Sequence, residues 1–160
     1  MRRLASAAAT VVLLASVPAA AQQVQPFDAC QVFTQADAEA ALGGPAQPPV
    51  DNPKVKRPKV VPACTYSGTR EGKPVAASAH FRIGKSDAET ERAFEDNRLQ
   101  FQTKPLIIRG ADAAFWSART GEMNVRKGRT WVAVAVGPQK PAERDMEAAR
   151  KAAEALVKKL

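Results

Sequence analysis

Apolar and polar positions alternate every second residue in two regions of this chain and recur every three to four residues in others. Between Ala113 and Val136 the alternation predicts three short strands joined by tight turns. A two-residue turn at Lys127-Gly128 sets Val125 opposite Thr130 and Met123 opposite Val132. A second turn at Thr120-Gly121 sets Ala118 opposite Met123 and Trp116 opposite Val125. One face then carries Trp116, Ala118, Met123, Val125, Val132, Val134 and Val136, which is a core. The other carries Phe115, Ser117, Asn124, Arg126, Arg129, Trp131, Ala133 and Ala135. It is half apolar, so a helix or a partner is expected over part of it. A slip of one residue in either turn would exchange the two faces.

Upstream, Cys64–Ser67 and Val75–Ile83 read as a hairpin around Gly68 to Gly72. In the longer strand Val75, Ala77, Ala79, Phe81 and Ile83 face the core, and Ala76, Ser78, His80 and Arg82 face away. Three helices frame these strands. Thr34 caps the first, Asp37 suits its positive end, and Gly43-Gly44 ends it after Leu42. Ser86-Asp87-Ala88-Glu89 is a capping box for the second, which runs to about Gln102 with Phe94 and Phe101 on its inward stripe. Pro141 suits the first turn of the last, whose stripe is Met146, Ala149, Ala153, Leu156 and Leu160. Glu147 with Lys151 and Glu154 with Lys158 are pairs on its solvated side. Pro105–Ile108 is an extended connection. The order helix, two strands, helix, three strands, helix is that of an α+β fold, with a mostly antiparallel sheet of about five strands flanked by helices.

The start of the chain sets the compartment. Met1-Arg2-Arg3 is a basic leader, Leu4–Val17 is apolar, and Ala19-Ala20-Ala21 offers small residues for cleavage before Gln22. Residues 1–21 thus read as a secretory signal peptide, too short for a spanning helix, and no other run is apolar enough to cross a membrane. Residues 22–160 are expected to form a single exported α+β domain, periplasmic or secreted. The chain has two cysteines, Cys30 and Cys64, and in an oxidising compartment that count favours a disulfide between them. The competing reading is a buried or metal-binding thiol pair. With one histidine and no CxxC spacing, a metal site is not expected.

The formal net charge is +8, and Arg2 and Arg3 leave with the leader. Six of the twelve prolines fall in 45–62, together with Lys54, Lys56, Arg57 and Lys59, so this stretch is an extended basic loop rather than a helix. Such a loop suits an anionic polymer, whether nucleic acid, lipopolysaccharide or a wall polymer, or it is a solvated loop without a ligand. Trp131 with Arg126 and Arg129 forms an aromatic-plus-cation set that suits stacking on a sugar, a base or a partner chain. The alternative is a covering helix with arginine stems lying along the indole.

Catalytic patterns are thin. Ser78 lies two residues before His80 on the same strand face, which suggests a nucleophile and base, but no G-x-S-x-G elbow or third member accompanies them. Gly84-Lys85-Ser86 resembles the end of a P-loop, yet the position five residues before Gly84 is Ala79, so no glycine-rich cradle precedes it. The carboxylates group along single helices, where they read as solvated faces rather than as a pair across a cleft. No catalytic residue and no cofactor are assigned.

Asp28-Ala29-Cys30 with Phe33-Thr34 and an alanine-rich helix to Leu42-Gly43, then Cys64-Thr65-Tyr66-Ser67, then Arg109–Trp116, occur in that order. The chain thereby resembles small exported bacterial proteins of unknown function typified by the LpqN-type lipoproteins. It departs from them in having no lipidation cysteine and in having Ala111 in the turn. The resemblance implies a PsbP-like fold, an antiparallel sheet flanked by helices, and a non-catalytic binding or accessory role. The expected function is a non-enzymatic interaction module with an envelope protein or an anionic polymer as partner. A small hydrolase centred on His80 is the alternative of a different class.

Overall fold

The computed structural model describes residues 27–49 and 61–160. The leader at 1–21 and the basic residues Lys54, Lys56, Arg57 and Lys59 lie outside the described residues. The described elements are, in chain order, α1 (Ala29–Val32), α2 (Gln35–Leu42), β1 (Ala46–Gln47), β2 (Ala63–Arg70), β3 (Lys73–Ile83), α3 (Asp87–Gln100), β4 (Pro105–Leu106), β5 (Ala113–Ser117), β6 (Glu122–Lys127), β7 (Thr130–Gly137) and α4 (Met146–Val157). The strands form one antiparallel sheet of seven in the order β1-β2-β3-β7-β6-β5-β4. The fold is therefore α+β, and the expected five strands become seven. The two additional strands, β1 and β4, are two-residue edges beside prolines, too short to leave an alternating pattern.

The local signals act through named atoms. The Thr34 backbone N–H donates to the Asp37 carboxylate at 2.7 Å, the Asp37 N–H donates to the Thr34 hydroxyl, and Gly43 closes α2 with φ 72. Ser86 caps α3 by accepting the Glu89 N–H. Asp145 caps α4, which begins at Met146; Pro141–Glu143 is a separate 3-10 turn, not the first turn of that helix. Of the expected α4 stripe, Ala149, Ala153 and Leu156 are buried, with Ala152 and Val157 added, while Met146 is 40% exposed. The ion pair on its solvated side joins Arg150 to Glu154 at 3.4 Å.

The β2–β3 hairpin is longer than expected. Its turn is Glu71-Gly72, both with positive φ, and β2 runs straight through Gly68. That glycine is needed for close approach: a Cβ there would meet the Pro45 carbonyl oxygen at 3.1 Å and Leu42 at 3.2 Å. In the meander, Lys127 pairs with Thr130, so the two turn residues are Gly128-Arg129, with Gly128 at φ 54. Ser117 pairs with Glu122, so residues 118–121 form a four-residue loop. Both pairings sit two residues away from the expected register. A shift of two preserves the faces, so Met123, Val125, Val132, Val134 and Val136 all point into one core, and Ala118 and Arg129 fall in turns instead.

That core lies on the face covered by α1, α2 and α4. Cys30 of α1 and Cys64 of β2 form a disulfide with Cα atoms 5.1 Å apart. Arg70 ties two helix ends together: its guanidinium donates to the Leu42 carbonyl at the C-terminus of α2 and pairs with Asp145 at the N-terminus of α4. Each contact places charge where the helix dipole favours it. Lys159, just beyond α4, pairs with Asp37. On the opposite face α3 is the only helix among the described residues, anchored by Phe94 against Phe115 and Trp131.

Candidate functional site

The site follows from what α3 does not cover. It packs over β6 and β7, so among the described residues the outward side chains of β2 and β3 stay open. Strand alternation and register place Thr65, Ser78 and Ala135 in one row across β2, β3 and β7, and Ala63, His80 and Ala133 in the next. Thr65 and His80 are exposed. At the margin with α3, Arg82 pairs with Trp131, and a hollow of about 180 Å³ opens between Val61, His80, Arg82, Asn97, Trp131 and Ala133.

Trp131 is the floor. Its indole N–H donates to the Asn124 side-chain carbonyl at 2.9 Å, Phe94 meets its ring at 5.6 Å, and it is 9% exposed. The Arg82 guanidinium lies 4.9 Å from the ring centroid, a cation–π geometry that holds the fork at the rim. Among the described residues Arg82 has no carboxylate partner, and neither the His80 nor the Asn97 side chain makes a hydrogen bond. Among the described residues no Asp or Glu lines the hollow.

The structure brings Trp131 and Arg126 together as a cross-strand pair but buries both. Arg126 is held by Asp112 at 3.5 Å and Glu91 at 3.9 Å, and Asp112 also accepts the Gly128 N–H at 2.7 Å, which pins the turn. Arg129 is exposed in that turn. The cation that meets the indole is therefore Arg82. Its place on the outward face of β3 is readable from alternation. Its meeting with Trp131 needs the β3–β7 pairing, and the approach of Asn97 needs the docking of α3; neither has a local signal.

Other candidates occupy structural positions. Ser78 and His80 share a face, but no hydrogen bond joins them among the described residues. Gly84 is required by packing: a Cβ there would sit 2.2 Å from the Thr90 hydroxyl oxygen, which bridges the Ser86 and Arg129 carbonyls at 3.0 and 3.1 Å. Glu89 accepts the Lys85 N–H, and Glu95 pairs with Arg98, both within or beside α3. A broader depression of about 570 Å³ lies between Lys73–Ala76 and Pro138–Lys140, where Lys140 is already paired with Glu143.

Three groups away from the open face have shifted acidities. Burial pushes the Asp37 carboxyl up, but the Lys159 ammonium and Thr34 outweigh it and hold it below the usual value. The Ala148 N–H, opposed by burial and helped by Arg70, holds Asp145 below it as well. Burial, then the charges of Asp37 and Asp28, push the Tyr66 hydroxyl up; that hydroxyl donates to the Phe33 carbonyl at 3.1 Å. These shifts report on the helix-bearing core. Among the described residues no helix is long and apolar enough to cross a membrane. No protein-family model, curated protein or solved structure matches the chain.

Proposed function

We propose that this chain is an exported, non-enzymatic binding module on a PsbP-like scaffold, which takes its ligand on the open half of the second sheet face. The observation that carries this reading is the partial cover by α3: polar side chains of β2 and β3 stand in a row on a rigid sheet, with nothing of the described chain packed over them. Export is supported by the leader pattern at 1–21 and by the Cys30–Cys64 disulfide, which persists in oxidising compartments.

The test uses tagged protein recovered from the exported fraction of its own cells. N-terminal sequencing is expected to begin at Gln22. Capture on the mature protein should survive a high-salt wash and be lost in Ser78→Tyr, which puts a ring on the open rows. Capture unaffected by that change would overturn the reading. The net charge of +6 that remains once Arg2 and Arg3 leave with the leader (22 − 16) favours a second one, an anionic-polymer binder using Lys54, Lys56, Arg57 and Lys59 together with Arg129. Anionic material that washes away as salt rises, and is reduced by Lys/Arg→Ser changes in 54–59, would support that reading, because exposed charge contacts are screened. The hydrolase alternative predicts a turnover that His80→Ala abolishes; the binding reading predicts none to abolish.

A further inference from the structure

We propose that the hollow beside α3 is a binding site for a small oxyanion, a carboxylate or a phosphate, held by Arg82 and Asn97 with His80 at its edge. The inference rests on the open-face reading and names the chemistry of its ligand.

Arginine presents its N–H donors in a planar fork that matches two oxygens of a carboxylate or phosphate. On a surface such a fork is usually mobile. Here the guanidinium rests over the Trp131 ring at 4.9 Å, and that ring is itself fixed by Phe94 and by the indole hydrogen bond to Asn124. The donors are therefore oriented before a ligand arrives, which lowers the ordering cost of binding. Arg126, at the paired position on the other side of Trp131, shows the contrasting arrangement: Asp112 and Glu91 neutralise it. Among the described residues Arg82 has no such partner, and none that line its hollow is acidic. Asn97 supplies a further amide donor from the opposite wall, and His80 a ring nitrogen from β3. Val61 and Ala133 give the body of the ligand an apolar rest. The hollow, of about 180 Å³, suits one oxyanion group on a short body.

The experiment is an NMR titration of the full mature protein with inorganic phosphate and, separately, with acetate, each against sodium chloride of equal ionic strength. Saturable shifts are expected at the Arg82 side-chain N–H, the Asn97 side-chain amide, the His80 ring and the Trp131 indole N–H. Arg82→Gln should weaken the preferred anion by about tenfold or more, as expected for loss of a charge-assisted hydrogen bond. Asn97→Ala should weaken it by a smaller factor. The native indole N–H position in unliganded Arg82→Gln would show that the fold is retained. The two arms separate phosphate from carboxylate. Shifts that rise linearly, that match those of chloride, or that persist in Arg82→Gln would overturn the site. If they do so while Ser78→Tyr still abolishes capture, the oxyanion inference fails and the binding reading stands. If capture is also insensitive to Ser78→Tyr, both fail.

Discussion

Phe94→Ala tests how the second face is built. Phe94 is fully buried, and its ring meets Phe115 at 4.9 Å and Trp131 at 5.6 Å in edge-on geometries. The other buried residue of α3 is Thr90, so Phe94 is the helix's single large apolar anchor. Truncating a buried phenylalanine costs about 3–5 kcal/mol, which includes the transfer of the ring and the cavity left behind. The two aromatic contacts favour the upper part of that range. Against a total stability of about 5–15 kcal/mol for a domain, this is a large fraction. The main core lies on the other side of the sheet, so the loss should fall first on the docking of α3. Urea denaturation followed by Trp131 fluorescence, in a Trp116→Phe background, measures the cost. Hydrogen exchange shows where it falls. Amides of α3 should exchange faster while those of β3 and β7 stay protected, and native-state Trp131 emission should shift to the red as its cover leaves. Anion binding at Asn97 should weaken with it. A loss below about 1 kcal/mol, with unchanged emission and exchange, would refute the assignment of Phe94 as the anchor.

Further outcomes follow from other contacts. Replacing Cys30 and Cys64 by serine should cost about 4 kcal/mol, the chain-entropy value for a crosslink of sequence separation 34; a midpoint in urea that does not move would contradict it. Asp37 and Asp145 both have folded-state pKa values below the usual one, so the unfolded chain binds more protons between the two values, and stability rises with pH there. Their contribution is complete above about pH 4–5 and is lost as pH falls through the folded-state values. Thermal melts across the acid range should therefore show a falling limb that Asp145→Asn flattens. Gly84→Ala should cost about 1–3 kcal/mol by overpacking against the Thr90 hydroxyl, and Thr90→Ala should recover part of it. Strict additivity in that double mutant would argue against the clash.

The parts of the fold that the sequence makes legible are those decided by neighbours along the chain. Thr34 with Asp37 and Gly43 bound α2, Ser86 with Glu89 opens α3, and alternation from Val75 to Ile83 assigns the faces of β3, although Ile83 at the strand end is exposed and not in the core. Faces also survive an error of register, because the meander pairings differ by two residues and a strand repeats every two. Less legible is what distant segments decide. Gly68 reads as a turn residue until Leu42 and Pro45 are seen against it, and Pro141 reads as the start of α4 until Asp145 is seen to cap it. The site divides in the same way. His80 and Arg82 are visible as outward residues of one strand, whereas the stacking of Arg82 on Trp131 and the approach of Asn97 exist only after sheet and helix assemble.

The bond between Cys30 and Cys64 has a covalent consequence beyond stability. It makes residues 30–64 a ring, and Lys54, Lys56, Arg57 and Lys59 lie within it. A protease that cuts beside any of these residues opens the ring but releases no fragment. The two pieces stay on one molecule, with α1 and α2 held at high effective concentration beside the sheet. The nick would appear as two bands on a reducing gel and one on a non-reducing gel. In a compartment rich in proteases, a chain built this way can be cleaved once in its most basic stretch and still travel as a single particle.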